Sequence, residues 1–396
     1  MPVPPKNILV FCDGTGQDGL ITEEAPKDKD ANHFTNVLRL SRAISQTYVQ
    51  EDGDERPQIV FYQSGVGVAT DFNADEALSD DAKKAFGTAV ASKIRDAYNF
   101  IAQNYREGDE VSIFGFSRGA YTARKICGLI DRLGLLAPAD MGKFFVYWKQ
   151  LNKTLPGEPP RPAKPVPIKY GFVCLVTWDT VGSVRNGTKE MVDALQLDDD
   201  ALASNVENAW HAVSFHENRE KFMCTLYSGA AANQNLKQVW FSGAHSDVGG
   251  GYAEMELADI TLAWIVGEIT PFVGVNTEFV EKSLSNSPKK PKWGESVPHN
   301  AYTSSSIFTR PILGRENRLT LMTKDSVLHP SLLLAPETKG MVTVSDLKKQ
   351  LKSTDLQAQT WQLNEFEERV REFWHDTFRD TDVPQFETLN EAEGLV

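Results

Sequence analysis

The sequence predicts an α/β fold, a mostly parallel sheet with helices on both faces, and three observations carry that expectation. Short apolar runs alternate with helical stretches from the start of the chain, in the order strand, helix, strand, helix, strand up to residue 116. Such alternation calls for parallel strands joined by right-handed crossovers. Several of the apolar runs also end in glycine-bearing loops, among them Asp13-Gly14-Thr15-Gly16 and Gly115-Phe116-Ser117-Arg118-Gly119. Finally, 396 residues suffice for one large domain with insertions, or for two.

The elements follow in order. Asn7 to Cys12 is an apolar strand that runs into the loop at residues 13–16, and a polar, acidic stretch covers 17–32. A helix is expected about Thr35 to Gln46, then a strand from Gln58 to Gln63 that meets Ser64-Gly65-Val66-Gly67. Over 83–105 the residues Phe86, Val90, Ile94, Ala97, Tyr98 and Ile101 recur at steps of three and four, one face of an amphipathic helix. Val111 to Phe116 reads as a strand and Ala120 to Leu136 as a helix ending near Gly134. A cluster of aromatics, Phe144 to Trp148, then precedes six prolines between Pro156 and Pro167, too dense for a helix or a sheet interior. Residues 138–170 are therefore read as an insertion over the surface, either a lid or pocket wall or a solvated connection.

Strands resume at Gly171 to Thr177 and Gln238 to Ser242, with a helix from Leu257 to Ile269 behind the second. The stretch 275–311 is polar and irregular, with Lys289, Lys290 and Lys292 near prolines, and reads as a second insertion. Two charged amphipathic helices are expected over Ser345 to Phe378, the first capped by Ser345. The division is thus a main domain over 1–340 and a helical extension over 341–396, packed on that domain or trailing it.

A net charge of −13 without any compensating basic run excludes a nucleic-acid partner, since phosphate binding needs a basic footprint. Cys12, Cys127, Cys174 and Cys224 are widely spaced and read as buried, reduced thiols. No basic leader followed by an apolar stretch begins the chain, and no apolar run reaches the length of a membrane span. A cytoplasmic protein is expected, and the sequons at Asn152 and Asn186 are read as coincidental. Peripheral contact with a membrane stays open. His-Glu-x-x-His, Cys-x-x-Cys and the phosphate-loop lysine motif are all missing from the sequence, so neither a metal nor a cofactor is expected. Phe11-Cys12-Asp13-Gly14-Thr15 resembles the tail of an aspartyl-phosphatase motif, but Phe11 stands where that chemistry needs its nucleophilic aspartate.

The chemistry points to Ser117. In G-x-S-x-G the serine sits on a sharp strand-to-helix turn, and the flanking glycines let strand and helix approach. Its hydroxyl then stands at a helix N-terminus, where developing negative charge is favoured. A serine needs a histidine to take its proton and a carboxylate to orient that histidine. In hydrolases with this elbow the acid and then the histidine follow the serine in the chain. His211 and His216 are expected on a helix, His299 in the irregular insertion and His375 on the last helix, which leaves His245 and His329. Because His245 and Asp247 share one loop, Asp247 is assigned as the acid and His329 as the base. The rival is Asp179 with His245, whose order is equally legal, and the plain structural alternative for Asp247 is a helix cap. Gly14, Thr15 and Arg118 are the expected sources of oxyanion N–H donors.

Four signatures coincide: Phe11-Cys12-Asp13-Gly14-Thr15-Gly16, Gly115-Phe116-Ser117-Arg118-Gly119-Ala120-Tyr121, Trp178-Asp179-Thr180-Val181-Gly182, and Gly243-Ala244-His245-Ser246-Asp247-Val248-Gly249-Gly250-Gly251-Tyr252. Together they resemble an α/β-hydrolase domain family of fungi and bacteria that includes the phospholipase effectors of type VI secretion, over residues 5–335. The resemblance implies an α/β-hydrolase-like sheet and a serine esterase or lipase with a Ser-Asp-His triad. It also implies acyl ester substrates, phospholipid among them. Val327-Leu328-His329-Pro330-Ser331 is similar to the closing His-x-Ser segment of that family, which favours His329. The membrane-targeting insertions of the bacterial effectors are not evident. A second reading is a hydrolase-fold protein that binds a lipid or a partner without turnover.

Overall fold

The computed structural model describes residues 4–15, 34–50, 52–65, 80–151, 172–182, 200–284, 291–306, 309–323, 325–354 and 358–374. The acidic stretch 17–32, the proline-rich part of the first insertion, both sequons, Lys289, Lys290 and His375 lie outside them, as does the expectation of a lid.

Among the described residues nine strands form one sheet: β1 Asn7–Cys12, β2 Thr47–Val49, β3 Glu55–Gln63, β4 Glu110–Phe116, β5 Phe172–Trp178, β6 Val206–Ser214, β7 Asn235–Phe241, β8 Val327–Leu328 and β9 Gln359–Thr360. They run in the order β2-β3-β1-β4-β5-β6-β7-β8-β9. Every neighbouring pair is parallel except β2 with β3, an antiparallel edge. The doubly covered α/β architecture is the one expected, with an edge strand at residues 47–49 that the periodicity did not signal.

Strand alternation divides the core between the two faces. Ile8, Val10 and Cys12 pack with helices α2 (Asp80–Asn104), α3 (Arg118–Leu133) and α4 (Phe144–Gln150). There the expected apolar positions Val90, Ile94, Ala97, Tyr98 and Ile101 are all buried. Leu9 and Phe11 point the other way. Their side is covered by α1 (Asn36–Arg42), by α6 (Glu256–Ile269), which follows the short α5 (His245–Gly249), and by α7 (Thr277–Ser283). In that layer Phe11 stacks on Phe114 with ring centroids 4.5 Å apart.

Residues beyond 340 add α8 (Val344–Thr354) and α9 (Glu365–Phe373). Thr343, not Ser345, caps α8: its hydroxyl accepts from Asp346 N at 3.1 Å. Between the two helices β9 pairs with β8, and Phe366 and Val370 of α9 join the α6 side of the core. The segment is therefore woven into the sheet edge and one helical layer. His211 and His216, expected on a helix, lie on β6 and just after it; a central parallel strand is buried on both faces and shows no alternation to betray it.

Phe114→Ala is expected to lower unfolding stability by about 3–5 kcal/mol, the usual cost of deleting a buried aromatic ring. Urea unfolding of both proteins measures it, and a loss under about 1 kcal/mol would mean that this layer is not close-packed.

Candidate active site

Parallel pairing aligns the C-terminal ends of the strands, and the residues that leave those ends build the site. Phe116 lies opposite Trp178 and Ser214 opposite Phe241. Ser117 and Asp179 are consequently the first residues past two adjacent strands. They are also the two non-glycine residues with positive φ among those described, at 58° and 39°. Such conformations cost of order 1–3 kcal/mol and persist only where the surroundings impose them. Here Ser117 N donates to Trp178 O at 3.0 Å, Val181 N donates to Ser117 O at 3.3 Å, and Asp179 N donates to Ala212 O at 2.8 Å. The glycines of the elbow are required by close approach. A Cβ on Gly119 would lie 2.1 Å from Cys12 O, and one on Gly115 would lie 2.6 Å from Gly119 O.

His245 opens α5, three residues beyond Ser242. Its Nε2 is 2.8 Å from Ser117 Oγ and its Nδ1 is 2.6 Å from Asp179 Oδ2. A carboxylate only accepts, so Nδ1 carries the proton and Nε2 accepts from the serine hydroxyl. Serine, histidine and aspartate are all buried. The imidazole is packed by Phe116, with centroids 4.6 Å apart, and by the edge of Phe222 at 5.2 Å. Burial lowers the His245 pKa from its ordinary value although Asp179 pulls it upward. For Asp179 burial acts upward, but Arg318 and then His245 outweigh it and hold the carboxyl well below the ordinary range.

The structure thus joins Ser117 to the rival pair and not to the preferred one. His329 is bonded elsewhere. Its Nε2 donates to Glu367 Oε1 at 2.7 Å, and its Nδ1 accepts from the Ser331 hydroxyl at 2.7 Å, where it caps the turn Pro330–Leu333. The physical reason is the sheet order. His329 leaves β8, four strands from β4, whereas β7 is one strand nearer and the 242–244 segment carries His245 back toward Ser117. Asp247 accepts from Ala244 N at 2.7 Å and from His299 Nδ1 at 2.6 Å, so it caps α5 and fastens the second insertion.

Of the expected oxyanion donors, Gly14 N is turned to its neighbour Asp13, donating to Oδ1 at 2.7 Å. Thr15 Oγ1 accepts from Arg118 Nη1 at 2.8 Å. Arg118 is the first residue of α3, whose first-turn N–H groups have no acceptor within the helix. Its guanidinium is pushed down to about 10 by burial and by the nearby charge of Arg219.

Two residues of the site were not singled out from the sequence. Glu217 accepts from His245 N at 3.1 Å and holds Arg219 through Nε and Nη2, both at 2.8 Å. Arg318 clasps Asp179. Neither belongs to a motif; both are placed by loops that meet only in the folded chain. Asp13, Asp179 and Asp247 each face partners of their own, and among the described residues no group of three or more His, Cys, Asp or Glu is arranged to hold a metal ion. Nor is any described helix long and apolar enough to cross a membrane.

Residues 6–268 match the family model described as the catalytic domain of Tle1-like type VI secretion phospholipase effectors. An uncharacterized protein of Saccharomyces cerevisiae is 30% identical over 240 residues, which are 55% of this chain and only 32% of that protein. Two solved structures are similar in part. An uncharacterized protein from Pseudomonas aeruginosa has 18% identity and a TM-score of 0.37 over 68% of this chain and 47% of its own. The Tle1 effector bound to the VgrG spike of the type VI secretion system has 20% identity and a TM-score of 0.33 over 63% and 52%.

The His299 contact makes a pH-dependent brace. Its hydrogen bond to Asp247 raises the His299 pKa. A histidine raised in the folded state stabilises fully below its unfolded value, about 6.5, and loses that contribution as pH rises through the folded value. The stability gap between wild type and His299→Ala is therefore expected to be larger at pH 5.5 than at pH 8.5. Equal gaps in thermal unfolding at the two pH values would remove the brace.

Proposed function

The chain belongs to the family of Tle1-like phospholipase effector catalytic domains, and on that premise we propose that it is a serine esterase acting on lipid acyl esters, phospholipids foremost. The observation that carries the reading is the hydrogen-bonded chain from Ser117 Oγ through His245 to Asp179. Ser117 attacks the ester carbonyl while His245 Nε2 takes the hydroxyl proton, and Asp179 stabilises the imidazolium that forms. The tetrahedral oxyanion is held by the backbone N–H of Arg118 and of Thr15, Gly14 N–H being turned to Asp13. Collapse returns the proton to the leaving alcohol and leaves an acyl-serine. Water activated by His245 then releases the fatty acid and restores the serine.

Ser117→Ala is expected to lose about 10⁴-fold or more in ester hydrolysis while staying folded. It should also lose labelling by a fluorophosphonate, which needs an activated serine. Full activity in this variant, or an unlabelled wild type, would end the hydrolase reading and favour a binding protein.

His245→Ala is expected to be as inactive as Ser117→Ala, since such residues act as a unit. His329→Ala should keep its turnover and lose thermal stability. The opposite ranking would return the base to His329. Because a base works unprotonated and burial lowers His245, activity should rise with pH along a limb below the ordinary histidine value near 6.5.

A further inference from the structure

Arg318 is fully buried in the short turn Arg318–Leu321, beyond residue 268 where the family match ends. Its Nη1 donates to Asp179 Oδ1 at 2.5 Å and to Ser214 O at 2.9 Å. Its Nη2 donates to Asp179 Oδ2 at 3.1 Å and to Phe222 O. The planar fork is thus held by two backbone carbonyls from different segments and grips both oxygens of the carboxylate, a geometry that lysine cannot reproduce.

The two carboxylates that act on the imidazole each have a guanidinium partner. Facing His245 are Asp179 and Glu217, both negative, and Arg219, positive; Arg318 stands behind Asp179 and supplies the second positive charge. The other titratable groups near Asp179 bring none. His211 is pushed down to about 3 by burial and by Arg124, and the Cys224 thiol is pushed far up by burial. An unbalanced buried aspartate would draw a proton onto the histidine and disable it as a base near neutral pH. The same aspartate left alone would also be costly to bury.

We propose that Arg318 is a positioning residue of this site: it fixes the Asp179 carboxylate with a two-pronged contact and balances its charge, so that His245 rests as the neutral base. The proposal rests on the reading of Ser117, His245 and Asp179 given above. It also makes the matched segment dependent on the chain that follows it, because the group that balances Asp179 comes from residue 318.

The test is the rate of fluorophosphonate labelling of Ser117 against pH in the full chain, for wild type, Arg318→Gln and Arg318→Lys. Arg318→Gln is expected to move the acid limb upward by about one pH unit or more, because the Asp179 charge now acts on His245 unopposed. Arg318→Lys keeps the charge and loses the fork, so its limb should stay near wild type while its maximal rate falls about tenfold or more. A folded Arg318→Gln with an unmoved limb overturns the charge role. A maximal rate in Arg318→Lys equal to wild type overturns the positioning role, and this variant decides alone if Arg318→Gln does not fold, since a limb displaced in Arg318→Lys also counts against the proposal. A wild type that is not labelled at all brings down the reading of the site, and this proposal with it. A labelled wild type with indistinguishable variants sinks only Arg318.

Discussion

Everything at the candidate site depends on the register between β4 and β5. Phe116 opposite Trp178 means that the chain leaves both strands at one level. The next residues, Ser117 and Asp179, are then forced into left-handed backbone within reach of each other. Neither conformation would survive in an isolated loop. Both are imposed by the bonds from Ser117 N to Trp178 O and from Asp179 N to Ala212 O, contacts between neighbouring strand ends. A slip of one residue would turn these side chains to the other face.

The third member comes from farther away and is secured differently. His245 starts a five-residue helix too short to hold a position by itself. Its backbone N–H is bound by Glu217 from the loop after β6, and two residues on Asp247 is bound by His299 from the second insertion. Asn218, beside Glu217, is bonded in turn to Asn300 and to Glu316 N. The segment from His299 to Arg318 therefore braces the site at several points. That bracing is polar and buried, which contributes less to net stability than to holding one arrangement, because each partner lost leaves another group desolvated.

The electrostatics and the proposed chemistry meet at the same groups. A site with two buried carboxylates, an imidazole and three guanidiniums could carry a charge that ruins the base. Pairing Glu217 with Arg219 and Asp179 with Arg318 gives each carboxylate beside His245 a guanidinium of its own. The arrangement suits a neutral histidine at rest.

How much of this was legible in the chain follows from the range of the forces involved. Most of the strand and helix order, the elbow at Ser117 and the helices beyond residue 340 express local periodicity and local backbone demands, so residue order alone determined them; β2 and β6 are exceptions. Glycine at 115 and 119 states in the sequence that two backbones must touch there. The partners of Ser117 are a matter of sheet order, and nothing local distinguishes His245 from His329: both follow apolar strands and both bond a buried carboxylate. Sequence order allowed either pair. Only the tertiary structure chose, because β8 lies one strand beyond β7, where Glu367 of α9 meets His329 first. Arg318 and Glu217 were silent for the same reason: their positions result from loops brought together by the folded sheet, and a single charged residue in a loop carries no periodic or spacing signal.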